Sequence, residues 1–144
     1  MNWIKRFAFI AALSLGLDQG AALAAAKVVV VVSPKNPVAA LSKSQAEDIF
    51  LGRSNRFPDG SPAVPLDQLE GSAARDEFYL KFTGKSPAQI KAHWSKIIFT
   101  GRGQPPAELA NSAAIKKRIA ENPGAIGYIE EDQVDAGVKV LPAP

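Results

Sequence analysis

The chain has 144 residues, 47% of them hydrophobic and 22% charged, with a formal net charge of +3. It contains no cysteine, which excludes disulfides and thiolate metal sites. The mild positive balance is compatible with anionic partners but is no footprint for nucleic acid.

The first residues read as a leader. Lys5 and Arg6 form a charged start, and Phe7 to Leu17 is an apolar stretch of 11 residues. That is too short to span a bilayer and right for the hydrophobic part of a signal peptide. An uncleaved membrane anchor is the alternative; a lipid anchor is excluded for want of a cysteine. Ala22-Leu23-Ala24 or Ala24-Ala25-Ala26 supplies the small-residue cleavage pattern, so residues 1–26 are assigned to a cleaved signal peptide. Cleavage after Ala24 or Ala26 leaves 120 or 118 residues, enough for one domain with one core. Losing Lys5, Arg6 and Asp18 lowers the net charge from +3 to +2.

Val28 to Val32 is a run of five valines. A continuous β-branched run reads as a strand buried on both faces. Ser33-Pro34-Lys35-Asn36-Pro37 ends it, because proline suits neither a ladder nor a helix interior. Ser42-Lys43-Ser44-Gln45 is a capping box with Leu41 as hydrophobic staple. Ala46, Ile49 and Phe50 form the apolar stripe of that helix, and Gly52 suits its left-handed cap. Arg53 to Pro62 is a polar loop containing the Pro58-Asp59-Gly60 turn. Ala63 to Leu66 reads as a short strand, followed by a Gly71-Ser72 turn.

A helix is expected over roughly Ala73 to Phe82, with Ala74, Phe78 and Phe82 inward and Gly84 as its stop. Ser86-Pro87-Ala88-Gln89 is a second capping box, with proline at the first helical position. Ile90, Trp94, Ile97 and Ile98 are assigned to the buried face of this helix, which ends near Thr100-Gly101. Arg102 to Pro106 is a loop. Asn111 or Ser112 caps a last helix with Ala114, Ile115 and Ile119 inward, and Pro123-Gly124 ends it. Ala125 to Ile129 and Val138 to Leu141 complete the strands. The alternation of strands and helices predicts an α/β fold, a three-layer sandwich with a small mixed sheet flanked by helices. Phe50-Leu51-Gly52-Arg53 and Phe99-Thr100-Gly101-Arg102 end two helices alike, which is an echo rather than a repeat architecture.

Few residues invite catalysis. The only histidine, His93, stands in a helix beside Trp94 and reads as a partly exposed helix residue. There is no nucleophile elbow, zinc-type His-Glu-x-x-His pair or phosphate loop. The acidic pairs Glu47-Asp48, Asp76-Glu77 and Glu130-Glu131-Asp132 are sequence neighbours, which do not face one another on a helix. No enzyme activity, metal or cofactor is expected.

The Gly71-Ser72 turn is the candidate binding feature. Gly71 permits the sharp turn, and Ser72 either caps the helix or offers its one hydroxyl proton to an oxyanion. The N–H groups of Ala73 to Arg75 point out of the helix start, where the macrodipole is positive. Arg75 either folds back as a charged fork or stays solvated. Among the other cations, Arg53 and Arg102 follow helix-ending glycines and complement those helix dipoles. Lys116, Lys117 and Arg118 read as a solvated face. The aromatics, Phe50, Phe57, Phe78, Tyr79, Phe82, Trp94, Phe99 and Tyr128, are assigned mainly to the core.

Several segments in order carry a resemblance. They are Ile49-Phe50-Leu51-Gly52 with Pro58-Asp59-Gly60, the strand-turn Val64 to Ser72, and Trp94 with Phe99-Thr100-Gly101. The most specific is Asn122-Pro123-Gly124-Ala125-Ile126-Gly127-Tyr128. Residues Leu41 to Ile129 thereby resemble the second half of the phosphate-binding proteins of ABC-type uptake, of the type-2 periplasmic binding class. The resemblance implies one lobe of a Venus-flytrap fold, periplasmic residence, transporter membrane subunits as partners, and phosphate or a similar oxyanion as ligand.

The family's phosphate motif is an arginine followed closely by Asp-Gly-Ser-Gly-Thr. Here Gln68-Leu69-Glu70-Gly71-Ser72-Ala73-Ala74-Arg75 stands in its place. Gly71 and Ser72 match, Glu70 replaces the aspartate, and Ala73 and Ala74 replace glycine and threonine. Ser33 is the residue after the valine strand that is assigned to the first-lobe edge of the site. The expected ligand residues are therefore Ser33, Gly71, Ser72, Ala73 and Arg75, in a weakened site. The alternative is a protein-interaction module that kept the lobe and lost the ligand, facing another envelope protein or a second copy as a homodimer.

Overall fold

The computed structural model describes residues 27–143; the signal-peptide reading of residues 1–26 lies outside them. A five-stranded mixed sheet forms the middle layer. Its strands are β1 (Val28–Val32), β2 (Val64–Gln68), β3 (Ala107–Leu109), β4 (Ala125–Glu130) and β5 (Lys139–Leu141), in spatial order β3-β2-β4-β1-β5. β2 runs parallel to β3 and β4, whereas β1 is antiparallel to both β4 and β5. The carboxyl ends of β2, β3 and β4 therefore share one edge of the sheet, and the carboxyl end of β1 lies at the other.

Helices cover both faces. α1 (Lys43–Phe50), α2 (Ala73–Thr83) and α3 (Pro87–Phe99) lie on one face, and α4 (Ser112–Glu121) lies on the other. The period of two in each strand sorts its side chains between the layers. Val28, Val30, Val32, Ile126 and Tyr128 join the core under α1–α3. Val31, Leu66, Ala125 and Ile129 meet Ile115 and Ile119 of α4. Burying each such aliphatic side chain contributes about 1.5–3 kcal/mol.

An aromatic stack forms the centre of the larger core. The rings of Phe78 and Tyr128 lie parallel with centroids 4.0 Å apart, and Phe50 meets Phe78 edge-on at 4.6 Å.

The helix ends follow local chemistry. Both capping boxes form: the Ser42 and Ser86 hydroxyls accept from the Gln45 and Gln89 backbone N–H groups, and each glutamine side chain accepts from its serine backbone. Asn111, rather than Ser112, caps α4, accepting from the Ala114 N–H.

Three details differ from the sequence expectations. β3 is a three-residue strand, held parallel to β2, in a stretch to which the sequence assigned no element. Three half-exposed residues carry no readable period. β2 extends to Gln68, so it takes Asp67 and Gln68 into the interior. Two residues of α3 face outward: Ile98 is 51% exposed and Phe99 is 92% exposed. At 100° per residue they stand roughly 80° and 180° around the helix from Ile90, off the narrow stripe of Ile90, Trp94 and Ile97 that meets the core.

Candidate functional site

The Gly71-Ser72 turn lies just beyond the carboxyl end of β2, the side of an open α/β sheet where ligands bind. Gly71 has φ +89°, a conformation that other residues adopt only with strain. Ser72 is the N-cap of α2, and its Oγ accepts from the Arg75 N–H at 3.3 Å. The same hydroxyl donates to Gln68 Oε1 at 3.3 Å. Its proton is therefore engaged within the protein. The backbone N–H groups of Gly71, Ala73 and Ala74 have no partner among the described residues. Unpartnered N–H groups at a helix start are the kind of donors that can hold an anion.

Arg75 turns inward instead of outward. Its side chain is only 11% exposed. Nη1 lies 3.1 Å from Glu108 Oε1 on β3, and Nη2 lies 3.8 Å from Asp67 Oδ2 on β2. The guanidinium carbon also sits 5.7 Å from the centroid of the Tyr79 ring. The sequence alternative of a solvated Arg75 is thereby replaced by a cation shared between two carboxylates.

Asp67 is the hub of this arrangement, at 1% exposure. Tyr79 Oη donates to its Oδ2 at 2.6 Å, and Tyr128 Oη donates to its Oδ1. The Gln68 backbone N–H donates to Oδ1 at 2.8 Å. Both carboxylate oxygens thus have donors, as a buried charge requires. Burial pushes the Asp67 carboxyl above the usual range, and the hydrogen bonds from the tyrosines with the Arg75 charge oppose that push only in part. The Tyr79 and Tyr128 phenols are pushed up, first by burial and then by the neighbouring carboxylate. They stay protonated and act as fixed donors.

A cleft of about 190 Å³ opens beside this network, between α2, α3 and β3. Its walls include Glu70, Arg75, Asp76, Tyr79, Trp94 and Glu108. Three carboxylates face it, so its field is not that of a simple anion pocket. Among the described residues, no cluster of three or more histidine or acidic side chains is arranged to hold a metal ion. His93 is engaged with the backbone, its Nε2 2.9 Å from the Leu51 carbonyl oxygen.

The expected site residues divide. Gly71, Ser72, Ala73 and Arg75 come together at the start of α2. Ser33 does not join them. It follows the carboxyl end of β1, level with Val64 and Ala125 in the register, and its buried hydroxyl accepts from the Lys35 N–H. From Val64 to Gln68 the strand rises about 13 Å, so Ser33 stands at the opposite edge of the sheet. The antiparallel pairing of β1 is the physical cause, and it cannot be read from a valine run. Asp67, Tyr79, Tyr128 and Glu108 were missed as a group. The one available signal was the polar pair Asp67-Gln68 directly after Val64-Pro65-Leu66.

Comparison with known proteins supports the fold. No family model matches the chain, and no curated protein matches it in sequence. Solved structures do match. One is described as a phosphate ABC transporter substrate-binding protein with bound phosphate, from Clostridium perfringens (24% identity, TM-score 0.62). Others are an ABC-type phosphate transport receptor from Vibrio cholerae (19%, 0.64) and PstS from Borrelia burgdorferi (12%, 0.58). Each alignment covers 81% of this chain but only 44%, 45% and 46% of the respective partner. The chain therefore has the fold of one lobe of a periplasmic binding protein and spans less than half the length of the solved structures it matches.

Proposed function

We propose that this protein is an exported solute-binding protein of the phosphate-uptake type that presents a single lobe and holds phosphate or a similar oxyanion weakly. The observation that carries the reading is the start of α2. There the N–H groups of Gly71, Ala73 and Ala74 are unpartnered among the described residues, on the ligand side of a binding-protein lobe. Arg75 supplies the adjacent cation. An anion would share it with Asp67 while displacing the half-exposed Glu108.

The same geometry supports the expectation that binding is weak. The Ser72 proton is engaged by Gln68, Arg75 is already paired, and Glu70, Asp76 and Glu108 face the cleft. A charge-assisted hydrogen bond contributes about 1.5–3 kcal/mol, and every 1.4 kcal/mol is tenfold in affinity. The periplasm is the compartment that accords with the leader reading. The membrane subunits of an ABC transporter, or another envelope protein, are the partners this reading expects. Among the described residues no helix is long and apolar enough to cross a membrane.

A second reading is favoured by one observation: the carboxylates already occupy Arg75. On that reading the lobe is a protein-interaction module without a ligand, including a homodimer version. Thermal unfolding with excess phosphate, against sulfate and chloride at matched ionic strength, separates the two. Binding to the native state contributes about 2.7 kcal/mol at a hundredfold excess over Kd. A phosphate-selective rise in Tm supports the solute-binding reading. No selective rise at tens of millimolar phosphate rejects it in favour of the interaction module.

A further inference from the structure

We propose a second anion site, separate from the start of α2, in the cleft between the ends of α1 and α3, where a phosphoryl group (inorganic phosphate or a phosphate monoester) is held by Lys96, Arg102 and Arg53. This cleft has a volume of about 320 Å³. Arg53, His93, Lys96 and Arg102 line it over a floor that includes Trp94 and Ile97, and no carboxylate is among its lining residues. The contrast with the cleft beside Arg75, which three carboxylates face, is direct.

The two echoing helix stops converge here. Phe50-Leu51-Gly52-Arg53 and Phe99-Thr100-Gly101-Arg102 each end a helix at a glycine of positive φ, +76° and +65°, and each contributes its arginine to this one cleft. Dipole complementation accounts for a cation near each helix end but not for both arginines reaching one cleft. The terminal carbonyls of α1 already accept from backbone N–H groups: Glu47 from Leu51, Ile49 from Gly52, and Asp48 from Arg53 and Ser54. Those of α3 do likewise: Lys96 from Thr100, Ile98 from Gly101, and Ile97 from Arg102. Among the described residues neither guanidinium donates to a carbonyl of its own helix, so neither acts as a hydrogen-bonding cap.

Among the described residues, the Lys96 and Arg102 side chains have no ion-pair partner. Arg53 shares its Nη1 with Glu47 at 3.4 Å and Asp48 at 3.5 Å. Both are exposed pairs of the kind that contributes little and exchanges readily.

The floor is held in place. A Cβ on Gly52 would fall 2.8 Å from Trp94 Cη2, so the indole occupies the space that only glycine leaves. His93 ties α3 to α1 through the Leu51 carbonyl, so its Nε2 carries the proton. A concave wall bearing cations of one sign concentrates anions, and arginine offers paired donors that match phosphate oxygens. The apolar floor of Trp94 and Ile97 suits the carbon body of a monoester.

The test is a ¹H–¹⁵N NMR titration of the purified protein with inorganic phosphate and, separately, with phenyl phosphate, at ionic strength fixed by sodium chloride. Trp94 lines both clefts, so the backbone N–H groups of the two helix stops, and not the indole, report on this site. Saturable shifts are expected at Gly52, Arg53 and Thr100 to Gln104. The double variant Lys96→Ala, Arg102→Ala should weaken them at least tenfold with no change in Tm, since both side chains are exposed. Tighter binding of phenyl phosphate identifies a monoester, and equal binding identifies the free ion; either supports the site. Shifts confined to Gly71 to Arg75 overturn this proposal while supporting the reading of the α2 site. Non-saturating shifts spread over the basic surface, or unchanged binding in the double variant, also overturn it.

Discussion

Asp67 dominates at the scale of single residues. An ionised carboxylate at 1% exposure is tolerable only because Tyr79, Tyr128, the Gln68 N–H and Arg75 all point at it. Tyr79→Phe removes one donor to a buried charge, and a loss of about 1.5–3 kcal/mol is expected in urea unfolding. The raised Asp67 carboxyl also has a pH signature. The native state holds this proton more tightly than the unfolded chain, whose group titrates near 3.8. Stability should therefore fall as pH rises from 3.8 through the native value, and level off above it. Asp59 and Asp135 are held below 3.8 by hydrogen bonds from Ser61 and Lys116, so their contributions are lost only on acidification below that point. Urea midpoints measured at several pH values should show the decline in the native protein and lose it in Asp67→Asn.

Glu108 offers a gain in function at the same scale. It competes with any anion for Arg75 Nη1 at 3.1 Å, and its side chain is 41% exposed. Glu108→Gln removes a negative charge from the cleft and loosens that hold. Calorimetric titration should show phosphate binding strengthened by up to about fivefold, the upper range of an exposed pair. Unchanged or weaker binding would place the anion away from Arg75.

At the scale of elements, the termini carry much of the order. Ser86→Ala breaks a complete capping box and should cost about 0.5–2 kcal/mol, whereas Ser86→Gly should cost only a few tenths. Phe99→Ser, at a position 92% exposed, should leave the denaturation midpoint within the error of a surface substitution, about ±0.5 kcal/mol. A large loss there would mean that Phe99 is covered in solution. The helices were legible because their caps and stripes are local. Ser42, Ser86, Gly52 and Gly84 announce the ends, and Phe78 and Phe82 announce the inner face of α2. β3 was not legible, because its backbone is ordered by β2 and not by its own three side chains.

At the scale of the whole molecule, the lobe is closed by two cores on either side of one sheet. The chain spans less than half the length of the matched structures. On the proposed reading, an anion held at the start of α2 stays in contact with water, which would weaken every charge interaction it makes there. Light scattering at micromolar concentration distinguishes a lone lobe from a paired one. The single-lobe solute-binding reading expects a monomer, and a dimer would favour the interaction module.

The sequence by itself determined the helices, every strand but β3, the α/β class and the position of the Gly71-Ser72 turn ahead of a helix. Each of these rests on propensities and hydrogen bonds spanning only a few residues. Tertiary structure decided which groups meet. The antiparallel pairing of β1 carried Ser33 to the far edge of the sheet, and the parallel pairing of β2 with β3 placed Glu108 against Arg75. Burial of Asp67 turned that arginine from an open fork into one arm of a closed network. Charges separated by tens of residues interact through distance in space, which sequence spacing does not encode.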